Sequence, residues 1–340
     1  MGERTEDMLA HLGRWAEAEA PRLGLAAGRL VLDRVLSRGG FGAWTLRARD
    51  GARTVYLKAV DGDGADALAR WADAAESLEA AYHAPHLLAC WPVGVVAPGV
   101  AVVATEGVEG RPLTAAGADR VLPAVLLSLA SLHEDALLAA RLGLSQRPVS
   151  LREAFRNALG ERLSQDLFAI ERRVDRLPLP VRGRVGVLRD AAAELARAVR
   201  QDAAFSGTTT APTHGDPHWH NILVARGGAT WHLLDWDDLA TGDPAMDLAV
   251  VLFRWRMAHG LARRAPWPRP AVDDRALVRR VGVYTWASVL DLAIDSLADA
   301  VEAQDWVRGN ALEASRRYFV RRHEEGWRLL ARWRPKDLFP

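Results

Sequence analysis

A short polar run, HGDPHWHN at residues 214–221, carries the side chains whose types and spacing best suit chemistry. Asp216 offers a carboxylate that could orient a hydroxyl nucleophile and accept its proton. Asn221 and, fourteen residues beyond it, Asp235 offer amide and carboxylate oxygens, which are ligands that Mg²⁺ prefers. A carboxylate beside the nucleophile and oxygen ligands for magnesium together indicate phosphoryl transfer.

These three side chains need only local structure to converge. Residues 221–224 and 231–234 read as two short strands around a glycine turn, and this β-ribbon would return Asp235 to the loop that carries Asp216 and Asn221. The plainer alternative is an Asx-turn network in which Asp216 and Asn221 bond their own backbone. That alternative leaves Asp235 unexplained, so we favour the phosphoryl-transfer interpretation.

The same run also invites a transition-metal interpretation. His214, His218 and His220 lie close to Asp216 in sequence, and imidazoles with a carboxylate can bind zinc. Alternate residues on a tight loop point in different directions, however, and no matching pair of ligands follows downstream. We therefore treat zinc as the weaker hypothesis.

A second set of candidates lies near the N-terminus, in the glycine-rich segment SRGGFG at residues 37–42. Gly39, Gly40 and Gly42 could let backbone N–H groups approach phosphate oxygens. Lys58 falls on the polar face of a predicted strand and could reach the same oxygens as a point charge. A tight turn between strands and a solvated lysine are the alternatives for these residues.

The hydrophobic periodicity predicts the elements that position these residues. Apolar and polar residues alternate in strand-like stretches in the first hundred residues, whereas nearly everything beyond residue 112 has helical spacing. The main predicted strands cover residues 30–36, 43–49, 54–60 and 100–104, with one more before Pro98, and the main helices cover residues 5–20, 66–82, 122–133, 151–177 and 185–204. We place boundaries at residues 1–104, a connector at 105–112 and a helical part at 113–340.

Composition limits the class of protein. The 340 residues favour two lobes, and a net charge of +1 gives no overall attraction to nucleic acid. Cys90 is the single cysteine, which excludes an intramolecular disulfide and suits a reducing compartment. The N-terminus lacks the layout of a secretory signal, and no uninterrupted apolar stretch has the length of a bilayer. We expect a cytoplasmic protein that binds neither membrane nor nucleic acid, and the sequence leaves its oligomeric state open.

HGDPHWHNILV and LLDWDDLATGDPAMDLAVV resemble the aminoglycoside phosphotransferase and choline kinase superfamily. The resemblance implies an α+β, protein-kinase-like fold: a small N-lobe with a five-stranded antiparallel sheet and one helix, and a large, mainly helical C-lobe. It implies that Asp216 is the catalytic carboxylate and that Asn221 and Asp235 hold Mg²⁺. By the same resemblance Lys58 binds the α- and β-phosphates of ATP or GTP.

The resemblance also implies supporting roles. An acidic residue on the N-lobe helix should orient Lys58, and Glu76 is the first choice, ahead of Asp73 and Glu79. The backbone of the connector should receive the nucleotide base, and His214 should be a scaffold residue. Asp247 should brace the catalytic loop through its backbone. The connector residues concerned are Thr105, Gly107 and Val108.

We expect the acceptor to be a small molecule with a hydroxyl group. Trp219 and His220 are candidates for contact with it, and His220 stands where glycine is common in the family. Asp291 and Asp295 belong to an acidic stripe at helical spacing that would suit a cationic acceptor, although a solvated helix face is the favoured interpretation.

The resemblance leaves three functions open. The leading one is phosphorylation of an antibiotic, an aminoglycoside or a nucleoside antibiotic, which would confer resistance. A metabolic kinase of choline, an amino alcohol or a sugar would share every motif. A pseudokinase that binds nucleotide without turnover is the third, and the intact Asp216, Asn221, Asp235 and Lys58 argue against it.

Overall fold

The computed structural model describes residues 2–26, 28, 30–35, 43–228, 230–260, 274–306 and 309–333. The glycine-rich segment with Gly39, Gly40 and Gly42 lies outside these residues. The chain divides into two compact units, each assembled from separate stretches of sequence. The first unit comprises Met1–Val121, Asp135–Gly143 and Asp216–Ala240, and the second comprises Leu122–Glu134, Leu144–Gly215 and Thr241–Pro340.

The described secondary structure is largely helical after the first hundred residues. The α-helices, in chain order, are α1 (Gly2–Ala18), α2 (Ala65–Tyr82), α3 (Ala115–His133), α4 (Ala136–Arg141), α5 (Leu151–Phe155), α6 (Glu161–Glu171), α7 (Leu179–Arg182), α8 (Val185–Gln201), α9 (Pro244–His259), α10 (Arg275–Trp306) and α11 (Gly309–Arg332). The strands are β1 (Val31–Val35), β2 (Ala43–Arg49), β3 (Thr54–Asp61), β4 (Leu87–Trp91), β5 (Val100–Glu106), β6 (Arg111–Pro112), β7 (Val149–Ser150), β8 (Thr208–Thr209), β9 (Pro212–Thr213), β10 (Ile222–Val224), β11 (Trp231–Leu233) and β12 (Ala240–Thr241).

The first unit is built on an antiparallel sheet of five strands in the order β1-β2-β3-β5-β4. Alternation along β3 separates its two faces: Val55, Leu57 and Ala59 are buried, whereas Tyr56 and Lys58 are half-buried on the opposite face. The buried face packs in a core that includes Leu12 and Ala16 of α1. The predicted five-stranded sheet and helical remainder are confirmed.

The first unit also contains the β-ribbon. Strand β10 pairs antiparallel with β11 on one side and with β6 on the other. The ribbon is held to the end of α2, because the backbone N–H of Leu233 donates to the carbonyl of His83 at 3.0 Å. The ring of His83 also lies 4.2 Å from that of Trp231. The ribbon therefore has a fixed place beside the sheet and helix of its own unit.

The second unit is helical, and α10 runs through its interior. Tyr284, Leu290 and Val301 of this helix are fully buried. By length and composition alone, α3 and residues 275–303 of α10 could each cross a bilayer. In α10, however, 83% of the apolar stretch that meets this criterion is buried within the protein. A core helix passes the same test, so these two helices are weak evidence for a membrane span.

The predicted and observed helices differ most between residues 151 and 177. The helix expected over residues 151–177 is interrupted by a π-helical turn at Arg156–Gly160, and α6 ends at Glu171. A further one-turn helix at Val174–Arg176 follows. Periodicity does not register a π-turn, because one inserted residue shifts the apolar stripe without removing it.

Candidate active site

The loop after β9 folds back on Asp216. The backbone N–H of His218 donates to the Asp216 carbonyl at 2.9 Å, and the Nδ2 of Asn221 donates to the same carbonyl at 2.9 Å. Nδ2 of Asn221 also lies 3.3 Å from Oδ2 of Asp216. The Asn221 side chain thus bonds the backbone of its own loop, in part as the plainer alternative supposed, yet the Asp216 side chain remains 45% exposed. Asp216 is thus both held by its neighbours and accessible.

Asp235 reaches the same place through the ribbon. The backbone N–H of Leu234 donates to the carbonyl of Asn221 at 2.7 Å. Asp235, the next residue, therefore lies beside the loop that carries Asn221. Asp235 itself has a left-handed backbone conformation, with φ 68° and ψ 63°. Such a conformation is uncommon for a residue with a side chain, and aspartate tolerates it better than most. Local strain of this kind occurs often at functional sites.

Lys58 pairs with two carboxylates of the same unit. Its ammonium group forms ion pairs with Asp235 and with Oδ2 of Asp237, the latter at 2.8 Å. Burial alone would lower the pKa of Lys58, but the two carboxylates outweigh burial and raise that pKa above its usual value. Burial and the nearby charge of Asp235 raise the pKa of Asp237. Lys58 therefore stays protonated.

The structure does not bring Glu76 to Lys58. Glu76 is exposed on α2 and makes no ion pair with Lys58 in the described part of the chain. Asp73 and Glu79 are exposed as well, and Glu79 instead lies 2.7 Å from His86. Asp235 and Asp237, rather than the predicted Glu76, surround the ammonium group in this structure.

Asp247, on α9, binds the backbone immediately before Asp216. Its Oδ2 accepts from the N–H of His214 and its Oδ1 from the N–H of Gly215, both at 2.9 Å. Nε2 of His133 lies 2.9 Å from Oδ2. Burial would raise the pKa of Asp247, but the bonds from His133 and His214 lower it below its usual value. A fully buried, ionised carboxylate thus fixes this segment of the second unit.

Gly215 forms a tight backbone turn in this segment. Its φ of 89° lies in a region that side chains rarely adopt, so glycine suits the turn between the braced backbone and Asp216. His214, predicted as a scaffold residue, is fully buried.

The remaining candidates of the loop are placed differently. Trp219 is 7% exposed, so its indole is packed inside rather than displayed. His220 is exposed, and its ring lies 5.2 Å from that of His218. Across the described ranges, no group of three or more His, Cys, Asp or Glu side chains has an arrangement that could hold a metal.

The connector borders a cavity of about 290 Å³ in the first unit. Gly107 and Val108 line it, and the N–H of Gly107 donates to the Thr54 carbonyl at 2.7 Å. A Cβ on Gly107 would lie 2.6 Å from that of Thr54, so only glycine fits there. Thr105, on β5, is 8% exposed.

The acidic stripe of α10 is not a solvated face. The Asp291 side chain is 20% exposed and its Oδ1 forms an ion pair with Nη2 of Arg162 at 2.8 Å. Burial, with the charges of Asp295 and other carboxylates, raises the pKa of Asp166 on α6 to about 7. Burial and Asp295 likewise raise the pKa of Asp299 to about 7. The second unit thus holds a half-buried group of carboxylates, here called the acidic cluster: Asp166, Asp291, Asp295 and Asp299.

Comparison with known proteins decides the family. The phosphotransferase enzyme family matches residues 38–279. The chain belongs to this family. It is therefore an enzyme of the kinase type, as the resemblance of its motifs implied.

Solved structures show the fold of this phosphotransferase. A complex of APH(2")-IIia with GDP and kanamycin superposes with a TM-score of 0.61 and 15% identity, covering 94% of this chain and 99% of that chain. Ethanolamine kinase from Plasmodium vivax superposes with a TM-score of 0.56 and 13% identity, covering 96% and 95%. At these identities the likeness shows the protein-kinase-like fold alone.

A curated relative is similar over a shorter stretch. Thiamine kinase of Salmonella typhimurium is 27% identical over 121 residues, which is 35% of this phosphotransferase and 39% of the relative. The match spans well under half the length of that protein.

The donor set of this phosphotransferase fits magnesium. Both bonds of the Asn221 side chain use its nitrogen, so its carbonyl oxygen is free of these bonds, and Asp235 adds a carboxylate that is 41% exposed. Hard oxygen ligands from one or two side chains are usual for Mg²⁺, because substrate phosphates and water complete its coordination.

Sequence reasoning missed two residues of the site, Asp237 and His133. Asp237 lies two residues after Asp235 and was available as the second acidic residue of LLDWDD. His133 ends a helix that was predicted for its apolar side chains only, and no local pattern links it to Asp247.

Proposed function

We propose that this protein transfers the γ-phosphate of ATP or GTP, with Mg²⁺, to a hydroxyl group of a small cationic molecule. The observation that carries the proposal is the convergence, within one compact unit, of Lys58 with Asp235 next to the loop of Asp216 and Asn221. Family membership supplies the reaction class.

In this proposal Asp216 orients the acceptor hydroxyl and accepts its proton. The hydroxyl oxygen forms a bond to the γ-phosphorus, and the bond from that phosphorus to the bridging oxygen breaks and leaves the nucleoside diphosphate. Lys58 binds phosphate oxygens in exchange for its carboxylate partners. Asn221 and Asp235 would hold Mg²⁺, which supplies the positive charge that phosphoryl transfer needs when it is bound. Asp247 keeps the loop backbone in place.

The acidic cluster supports a cationic acceptor. Four carboxylates share one region of the second unit, where Arg162 pairs with Asp291 and the charge of Arg322 acts on Asp291 and Asp299. Oδ2 of Asp166 is buried without a hydrogen-bond partner in the described ranges. An ammonium group would offer a donor and a compensating charge to such carboxylates.

An antibiotic with amino groups, an aminoglycoside above all, is the acceptor we propose first. The fold of APH(2")-IIia, which binds kanamycin, supports this choice, and resistance would be its consequence. A metabolic kinase of an amino alcohol or a related cation is the second candidate, because the thiamine kinase match and the ethanolamine kinase fold support an acceptor of the same charge.

The test is incubation with Mg²⁺, ATP or GTP, and a panel of acceptors. The panel should include kanamycin, ethanolamine, choline, thiamine and a neutral sugar of similar size to kanamycin. We expect a mass gain of one phosphate on a cationic member and none on the neutral sugar. Phosphorylation of the neutral sugar alone would contradict a cationic acceptor, and no transfer to a wide panel by a protein that binds nucleotide would favour a pseudokinase.

A further inference from the structure

The cavity beside the connector is lined by several charged side chains of both signs. It lies in the first unit on the polar face of β2 and β3, and Arg47, Arg49 and Tyr56 line it together with Glu106 and Glu109. Tyr56 precedes Lys58 by two residues on the same face of β3, a separation of about 7 Å along a strand. A molecule whose phosphates reach Lys58 could therefore place its base here.

Asp33 anchors both arginines through Nη2 and uses only part of the hydrogen-bonding capacity of each guanidinium group. One oxygen of Asp33 accepts from Nη2 of Arg47 at 2.8 Å and from Nη2 of Arg49 at 2.7 Å. The hydrogen bond from Arg47, followed by the charge of Arg49, lowers the pKa of Asp33, so the anchor is ionised. The Nε atoms of Arg47 and Arg49 are both buried and have no acceptor among the described residues. The side chains themselves are 37% and 42% exposed, so the outer donors of both guanidinium groups can reach a molecule in the cavity.

The chemistry of these walls discriminates between purines. Arginine has donors only, and guanine presents two adjacent acceptors, O6 and N7, whereas adenine presents one acceptor and one donor there. Glu106 and Glu109 offer acceptors only, which match the N1–H and the 2-amino group of guanine. The ring of Tyr56 adds an aromatic surface for a flat base. Carboxylates in the same cavity also disfavour a bare anion.

We propose that this cavity binds guanine in preference to adenine, so that GTP is the phosphate donor of this enzyme. The proposal rests on the phosphotransferase function proposed above and assigns to Arg47 and Arg49 the recognition of O6 and N7.

Calorimetric titration of the full-length protein with the Mg²⁺ complexes of GDP, ADP and IDP tests the preference directly. We expect GDP to bind at least about tenfold more tightly than ADP, the usual effect of a two-point arginine contact. IDP keeps O6 and N7 but lacks the 2-amino group, so it should bind more tightly than ADP.

Variants test the assignment to the two arginines. Arg47→Lys, Arg49→Lys and the double variant keep the positive charge but remove the planar fork, so the ratio of GDP to ADP affinity should fall toward one. Arg14→Lys is the matched control, since Arg14 is exposed on α1 and does not line the cavity; its ratio should equal that of the unmodified protein. Circular dichroism confirms folding of each variant.

The outcomes separate this inference from the proposed function. Equal binding of both diphosphates, tighter binding of ADP, or an unchanged ratio in the folded double variant overturns the guanine assignment and leaves the phosphotransferase function standing. Binding of neither diphosphate by the folded protein overturns both. A guanine preference that disappears in the double variant and persists in Arg14→Lys supports the inference.

Discussion

Nζ of Lys58 lies 2.8 Å from Oδ2 of Asp237, and both side chains are largely shielded, with exposed fractions of 18% and 23%. Asp235 completes the group around the ammonium. Asp235 and Asp237 also contact each other, so the lysine compensates two adjacent negative charges. This arrangement links the stability of the first unit to the group that we propose binds phosphate.

Replacing Lys58 should reveal that link. Lys58→Met leaves Asp235 and Asp237 without a shared cation, so we expect lower stability and loss of nucleotide binding. Adding Asp237→Asn should restore part of the stability but not the binding. In a double-mutant cycle by urea unfolding, the coupling free energy should be about 1–3 kcal/mol. Additive effects of the two changes would contradict a direct energetic link.

Asp216→Asn should abolish most transfer. Loss of a positioned proton acceptor lowers the rate by roughly 10²- to 10⁴-fold. Nucleotide affinity should be nearly unchanged, because Lys58 has its ion pairs with other residues. The control variant is Asp190→Asn, because Asp190 lies on α8 with its side chain 80% exposed. Near-normal turnover of the Asp216 variant in a steady-state assay would refute the assignment.

Asp247→Ala should loosen the loop backbone. The change removes the acceptor for the buried N–H of His214 and the partly buried N–H of Gly215, and we expect a loss of about 2–4 kcal/mol in unfolding free energy. Hydrogen exchange at these two amides should accelerate. His133→Gln keeps a donor near Asp247 and should cost less. Unaltered exchange at both amides in Asp247→Ala would show that Asp247 does not hold this segment.

The acidic cluster predicts a pH dependence of stability. Folding raises the pKa values of Asp166 and Asp299 to about 7, so between pH 4 and pH 7 the folded state binds more protons than the unfolded state. Their contribution to the unfolding free energy therefore falls as pH rises through this window and levels off above pH 7. Asp166→Asn should be more stable than the unmodified protein at pH 8, by about 1 kcal/mol after solvent screening, and similar at pH 4.

Urea unfolding at intervals between pH 4 and pH 8 measures this difference, with Asp190→Asn as the control. The same pH dependence in Asp166→Asn and in the unmodified protein would exclude a raised pKa at Asp166.

Binding of a cationic acceptor should release protons near pH 7. A positive charge beside Asp166 and Asp299 lowers their pKa values, so each loses part of its proton on binding. Calorimetric titration of the acceptor found in the panel, in two buffers with different ionisation enthalpies, should give different observed enthalpies. Equal enthalpies would mean that the acceptor does not bind at the acidic cluster.

The sequence predicted best those features that depend on neighbouring residues. Strand β2 has the predicted bounds, because apolar and polar residues alternate there without interruption and pair in register with β3. The ribbon of β10 and β11 was predicted for the same reason, since its turn glycines separate two short apolar stretches.

Features that depend on distant parts of the chain were not predictable. Glu76 was chosen for Lys58 by its place on a helix, yet the described ion pairs come from Asp235 and Asp237, far along the chain. Asp166 belongs to α6 and joins the stripe of α10 only through packing. The anchor of Arg47 and Arg49 on Asp33 required the register of β1 against β2.

The first unit is assembled from separate stretches of sequence, and this has a consequence for biosynthesis. Its sheet is made from residues that leave the ribosome early, but the unit is completed only by Asp216–Ala240. Until that stretch is synthesised, β6 lacks β10 as a partner and Lys58 lacks both of its carboxylates. A nascent chain thus carries an unfinished edge while Leu122–Glu134 and Leu144–Gly215 of the second unit are translated, the period in which chaperone binding would matter most.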